Sequence, residues 1–191
     1  MFNDQSSPLL ALATRRSGKP RDLGPPGPTR EELMAMVALA ARTPDHGKLA
    51  PWRFVLVPTE KRDALAALLA DAARAAGRTD LEATEQFARQ APALVVMLFS
   101  PVDTAIPVWE QELSAGAAAM NLLHAAHAHG YAGGWLTTWA AYDARVLAAF
   151  GRAGERIVGF FFIGTPARDL VERPRPALEA VVSEWAGSMP L

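Results

Sequence analysis

Two apolar runs do most to limit what this chain can fold into. Ala93 to Phe99 (ALVVMLF) and Ile157 to Gly164 (IVGFFFIG) contain no charged residue and no alternation of apolar with polar positions. A strand of that kind is apolar on both faces and has to be covered on both faces. Both runs are far shorter than the roughly 20 residues that cross a bilayer as a helix. They read as buried strands at the centre of a sheet.

The segments between them read mostly as helices. Residues 8 to 16 form a short leucine-rich helix with Gly18 as its expected stop, followed by a connection, Pro20 to Pro28, with four prolines and two glycines. Thr29-Arg30-Glu31-Glu32 is a capping box that starts a helix running to about Arg42, with Leu33, Met36, Val37 and Ala40 on one face. Arg53 to Val57 reads as a strand, Phe54 and Leu56 facing one way and Val55 and Val57 the other. Thr59 is the expected N-cap of a helix ending at Gly77, and another helix spans Asp80 to Gln90. A long helix, Val108 to His129, is stopped by Gly130 and carries the small residues Ser114 to Ala119, on which something flat or another helix could pack closely. Tyr131 to Thr138 reads as a strand or extended loop, Tyr142 to Phe150 as a helix, and Ala177 to Trp185 as a strand or short helix. Helices bunch as well as interleave with strands, which suits an α+β fold better than a strictly alternating one. The 191 residues fit a single domain, with 20–28 a Pro/Gly-rich connection and 165–191 a C-terminal extension.

Composition excludes several functions. With 19 basic and 20 acidic residues the net charge is −1, so no general field attracts nucleic acid or an anionic membrane. There is no cysteine, hence no disulfide, thiolate ligand or thiol nucleophile. The first residues lack the pattern of a signal peptide, and cytoplasm is the expected location.

Any site is therefore local. Ala41 to Trp52 places Arg42, Asp45, His46 and Lys48 between a helix and a strand, with Pro44 and Pro51 stiffening the backbone. It reads both as a clamp for an anionic or hydrogen-bonding ligand and as a charged turn. Arg15-Arg16-Ser17 with Lys19 offers two guanidinium forks, a hydroxyl and an ammonium to a phosphate, although basic residues at a helix end also complement its dipole. Gly133-Gly134-Trp135 reads either as a tight strand feature or as bare backbone against which a ligand ring lies. His124, His127 and His129 do not share one helix face, and no metal is expected there. Glu110 and Glu112 suit the positive end of their helix. No G-x-G-x-x-G follows a strand and no G-x-S-x-G occurs, which removes a Rossmann dinucleotide site and a serine hydrolase elbow.

From Leu9 to Pro166 these segments together resemble the nitroreductase-like flavoprotein family, most closely its short YdjA-like branch. The resemblance is carried by Arg15-Arg16-Ser17, Arg42-Thr43-Pro44-Asp45-His46 with Pro51-Trp52, Trp109 to Gly116, Gly133-Gly134-Trp135, and Ile157 to Phe160 through Gly164-Thr165-Pro166. It implies a nitroreductase-like fold, a central and mainly antiparallel sheet flanked by helices, in an interlocked homodimer with FMN at the subunit interface. It further implies hydride transfer from NADH or NADPH to the flavin and on to a small acceptor such as a nitroaromatic or quinone. Position by position, Arg15, Arg16 and Ser17 match flavin phosphate and ribityl contacts, and Arg42 and His46 match contacts supplied by the partner subunit. Trp135, Leu136 and Thr137 match the backbone beside the flavin. Ala125, Ala126, His127, Ala128, His129 and Gly130 match the stretch assigned to the nicotinamide nucleotide. Two positions depart from the pattern: Lys19 stands where a further Arg is usual, and Leu136 where the branch has Arg. A flavin-binding carrier or sensor with little turnover is the alternative reading of the same residues.

Overall fold

The two apolar runs lie side by side. In the computed structural model, which describes residues 1–185 and 187, Ala93–Phe99 and Arg156–Pro166 pair antiparallel, with Val95 opposite Phe161 and Val96 opposite Phe160. In chain order the elements are α1 (Pro8–Thr14), β1 (Leu23–Gly24), α2 (Arg30–Ala40), β2 (Trp52–Val57), α3 (Arg62–Ala75), α4 (Leu81–Arg89), β3 (Ala93–Phe99), α5 (Val108–Ala128), β4 (Ala132–Leu136), α6 (Ala144–Phe150) and β5 (Arg156–Pro166), with short 3-10 turns between some of them. β2 flanks β3, and the long β5 pairs with β3, β4 and β1, every pairing being antiparallel.

Helices cover both faces, as two-sided apolar strands require. Leu94, Val96, Leu98, Phe160 and Phe162 form one core with Leu65 and Leu69 of α3, and Phe87 of α4 meets Phe160 and Phe162 edge-on at 5.3 and 5.0 Å. Val95, Met97, Phe161 and Ile163 form the other with Met36 and Ala40 of α2 and Ala115, Ala118, Ala119 and Leu122 of α5. Each fully buried large side chain contributes roughly 1.5–3 kcal/mol relative to exposure, which makes this alternation the main determinant of strand register. The small residues of α5 thus let the sheet itself come close.

The capping box is present: Glu32 N donates to Thr29 Oγ1 (3.2 Å) and Thr29 N to Glu32 Oε2 (2.8 Å). Phe54 and Leu56 pack on the α2/α5 core, Val55 and Val57 on the opposite one.

Some local expectations are corrected. α1 ends at Thr14, before the arginines, because Arg16 N donates to Asn3 Oδ1 (2.7 Å) and Gly18 N to Gly133 O (3.1 Å), drawing the chain straight instead of stopping at Gly18. Pro20 to Pro28 is more than a surface connection, since Leu23 and Gly24 pair with Pro166 and Thr165, and Pro20 and Leu23 are buried. Thr59 makes no capping bond and lies inside a 3-10 turn, Thr59–Lys61, that precedes α3. Arg62 instead opens that helix from a buried position and donates to Ala88 O (2.7 Å) and Gln90 O (3.3 Å), closing the C-terminus of α4. Within 177–185 the regular structure is one short 3-10 turn, Leu178–Ala180; the last residues of the expected extension, 188–191, lie outside the described residues.

Candidate functional site

β4 is an edge strand, and the Arg15 to Lys19 segment runs along its open side through the Gly18 N to Gly133 O bond. The chain after β5 returns across the same place. Ala167 N donates to Asp22 O (2.8 Å) and Arg16 Nε to Val171 O (2.7 Å). Between them opens a cleft of about 700 Å³, lined by Arg15, Arg16, Ser17, Lys19, Met120, Leu123, Trp135, Leu136, Arg168, Arg173 and Arg175, among others. That volume is in the range of small-molecule sites.

Close packing explains the paired glycines. A Cβ on Gly133 would lie 2.7 Å from Leu123 Cδ2, and one on Gly134 would lie 2.6 Å from Gly18 O. The second contact is with backbone and cannot relax by a rotamer change. Gly134→Ala is expected to push the Arg15 to Lys19 segment off β4. Amide exchange should then rise at Gly18, and unchanged protection there would refute this account.

The cleft is crowded with positive charge. Burial first, and then the charges of Arg175 and Arg16, lower the pKa of Arg15 below its ordinary value. Burial, then Arg15 and His124, push His127 down to about 4, so that side chain is neutral at pH 7. Glu172 partly compensates, its Oε1 accepting from Arg173 N (2.8 Å) and Arg175 Nη2 (3.1 Å) and standing 3.6 Å from Arg16 Nε. Arg15 Nη1 also donates to Ser17 Oγ at 3.2 Å. Cations that depress one another are stabilised by an anion placed among them.

Trp135 lies flat on the sheet. Its ring stacks on Phe161 (5.3 Å between centroids) and Nε1 donates to Val158 O (3.0 Å), in space that Gly159 leaves open. The indole also forms a wall of a second cleft of about 520 Å³, with Phe99, Gly116, Tyr142 and the ion pair of Arg156 with Glu112. Leu136 lines the first cleft, and Thr137 follows it, accepting at its carbonyl from Ala141 N (3.3 Å).

The loop that ends α2 lies on α5, away from the first cleft. Arg42 is exposed and lines none of the described clefts. His46 Nδ1 stands 2.8 Å from Glu110 Oε2, so Glu110 does more than complement a helix dipole. Of the 125–130 stretch, Ala125, Ala126 and His127 are buried in α5, His129 Nδ1 donates to Ala125 O (2.8 Å), and none of the six lines the first cleft. The structure therefore gathers Arg15, Arg16, Ser17, Trp135 and Leu136 and leaves Arg42, His46 and 125–130 apart from them in a single chain.

Arg168, Arg173 and Arg175 were not singled out by sequence reasoning. The available signal was Arg173-Pro174-Arg175-Pro176, in which proline holds alternating guanidinium groups on an extended backbone.

The chain has relatives among known proteins. The family model described as the Nitroreductase family matches residues 12–165. The chain belongs to the Nitroreductase family. YdjA of Escherichia coli, which carries the name of an NAD(P)H nitroreductase, is 37% identical over 164 residues, covering 83% of this chain and 87% of its own. Among solved structures, a nitroreductase-like family protein from Bacillus cereus superposes with a TM-score of 0.81 at 19% identity over 98% of this chain and 100% of that one. A nitroreductase-type protein from Desulfovibrio desulfuricans in complex with FMN gives 0.74 at 22% identity, over 94% and 98%. The nitroreductase fold is thus the fold of this chain, with its antiparallel sheet and flanking helices.

Proposed function

We propose that this protein is an FMN-dependent oxidoreductase that takes hydride from NADH or NADPH and reduces a small flat acceptor such as a nitroaromatic or quinone. The observation that carries the reading is the first cleft, where Arg15, Arg16, Ser17, Lys19, Arg173 and Arg175 share a wall with Met120, Leu123, Trp135 and Leu136. A phosphate monoester suits the cations and the hydroxyl; a flat ring suits the apolar side chains and the β4 backbone. The relatives agree with it: YdjA is named for NAD(P)H, and the D. desulfuricans neighbour is a complex with FMN.

FMN, when bound, supplies the two-electron chemistry. The chain's part is to bind and orient. Arg15 and Arg16 would hold the phosphate, with Ser17 donating beside them. Trp135, fixed by Phe161 and by Val158 O, and the backbone of Leu136 and Thr137 would set the ring. His127 is neutral and buried, and no side chain has to act as a general acid or base, since hydride transfer depends on positioning.

The working unit on this reading is a homodimer, in which Arg42 and His46 reach the flavin held by the other subunit. Their distance from the cleft of their own chain favours it, as does an apolar stripe on α5, where Val108, Trp109 and Leu113 are 51%, 61% and 62% exposed. Resemblance alone supports 125–130 as the nicotinamide stretch.

The test is spectroscopic. The purified protein, reconstituted with FMN if colourless, should bleach rapidly under anaerobic NADPH or NADH and recolour with a quinone or nitroaromatic. A protein that binds no FMN would sink the proposal, and one that binds it but is reduced by neither nucleotide would be a carrier or sensor.

A further inference from the structure

One face of α5 grips the loop after α2 at successive positions. Asn121 Nδ2 donates to Thr43 Oγ1 (2.7 Å), Ser114 Oγ donates to Pro44 O (3.1 Å), and Glu110 Oε2 meets His46 Nδ1 (2.8 Å). Positions 110, 114 and 121 are four and seven residues apart and so share one side of the helix. The loop backbone is braced separately, because Asp45 Oδ2 accepts from Leu49 N and from Ala50 N (3.0 Å). Glu110 is therefore the member of this stripe that acts on a functional side chain. His46 is otherwise unrestrained, with 64% of its side chain exposed against 32% for Glu110.

We propose that Glu110 is a positioning residue for the flavin: its carboxylate accepts the Nδ1 hydrogen of His46, selects that tautomer and ring plane, and so presents Nε2 to the FMN bound by the partner subunit. This rests on the reading above that His46 reaches across the dimer. A carboxylate only accepts, so the hydrogen between the two groups must sit on Nδ1, and a neutral ring then keeps Nε2 bare. A bare Nε2 suits the imide N–H, the one ring donor of the oxidised isoalloxazine. Holding the ring before the flavin arrives also lowers the ordering cost of binding. The rival account is a surface ion pair of little consequence.

The two accounts separate on FMN affinity and on the imidazole tautomer read by ¹⁵N NMR of His-labelled dimer at about pH 9, where a free imidazole is neutral. Glu110→Ala should move His46 from the Nδ1–H to the Nε2–H form and weaken FMN binding about tenfold, as His46→Ala does, with the double variant no weaker than His46→Ala alone. Glu110→Gln, whose amide oxygen accepts the same hydrogen, should keep the Nδ1–H form and bind FMN close to wild type. If Glu110→Ala leaves tautomer and affinity unchanged while His46→Ala weakens FMN, the positioning role is overturned. If His46→Ala itself leaves FMN affinity unchanged, the reading of His46 as a flavin contact falls instead.

Discussion

Arg16→Ala is expected to weaken FMN binding by about 100-fold or more while leaving riboflavin, which lacks the phosphate, nearly unaffected. The side chain is 9% exposed, its backbone is tied to Asn3, and its Nε is committed to Val171 O. It enters the cleft as a desolvated, pre-oriented cation, and such a donor loses little entropy when a phosphate arrives. Substitution removes a charge-assisted bond and also frees the 167–175 strap that brings Arg173 and Arg175 to the same cleft. Arg16→Lys retains charge without the planar fork and should fall between the two. Fluorescence titration of FMN and riboflavin into apo-protein separates the contributions. Equal losses for both ligands would mean that Arg16 serves the fold and not the phosphate.

The second large effect concerns stability. Arg53 on β2 binds Glu155 through Nε (3.0 Å) and Nη2 (2.6 Å) while also donating to Phe150 O (2.6 Å), and Arg152 N donates to Glu155 Oε2 (2.7 Å). Glu155 is 4% exposed, and the Arg53 guanidinium above all holds its carboxyl down at about 2, against an ordinary 4.5. A carboxylate whose folded pKa lies below its unfolded value stabilises fully above the unfolded pKa and loses that contribution as pH falls through the folded one. The window is therefore about pH 4.5 to 2, and the shift corresponds to about 3 kcal/mol. Glu155→Gln should lower Tm at pH 7 by roughly 6–12 °C, and the gap from wild type should narrow as pH is taken through that window. A gap that stays constant between pH 7 and pH 2 would show that Glu155 acts by packing and not by charge.

Much of the fold was legible from local pattern. The runs 93–99 and 157–164 announced two-sided strands because burial on both faces leaves no polar position to alternate, and the Thr29 capping box marked its helix because both of its bonds lie within one turn. The errors fell where a distant partner outbid a local rule. Gly18 was free to end a helix, yet β4 drew its amide into an edge pairing. Pro20 to Pro28 had the composition of a loop, but β5 was long enough to accept Leu23 and Gly24. The candidate site divides the same way. The Arg15-Arg16-Ser17 cluster was visible because two guanidinium forks and a hydroxyl are adjacent in sequence. Arg173 and Arg175 were not, since the bond from Arg16 to Val171 that brings their strap over the cleft spans 155 residues.

By itself, then, the sequence determined the class of fold, the two-sided core and the adjacent cations that mark the cleft, all of which follow from spacing within a few residues. Only the tertiary structure decided what those cations share the cleft with, that Gly134 is needed because Gly18 O leaves no room for a side chain, and that Glu110 holds His46. Each of these depends on how separate elements dock edge to edge, and docking is settled by packing across the sheet, which local periodicity does not encode.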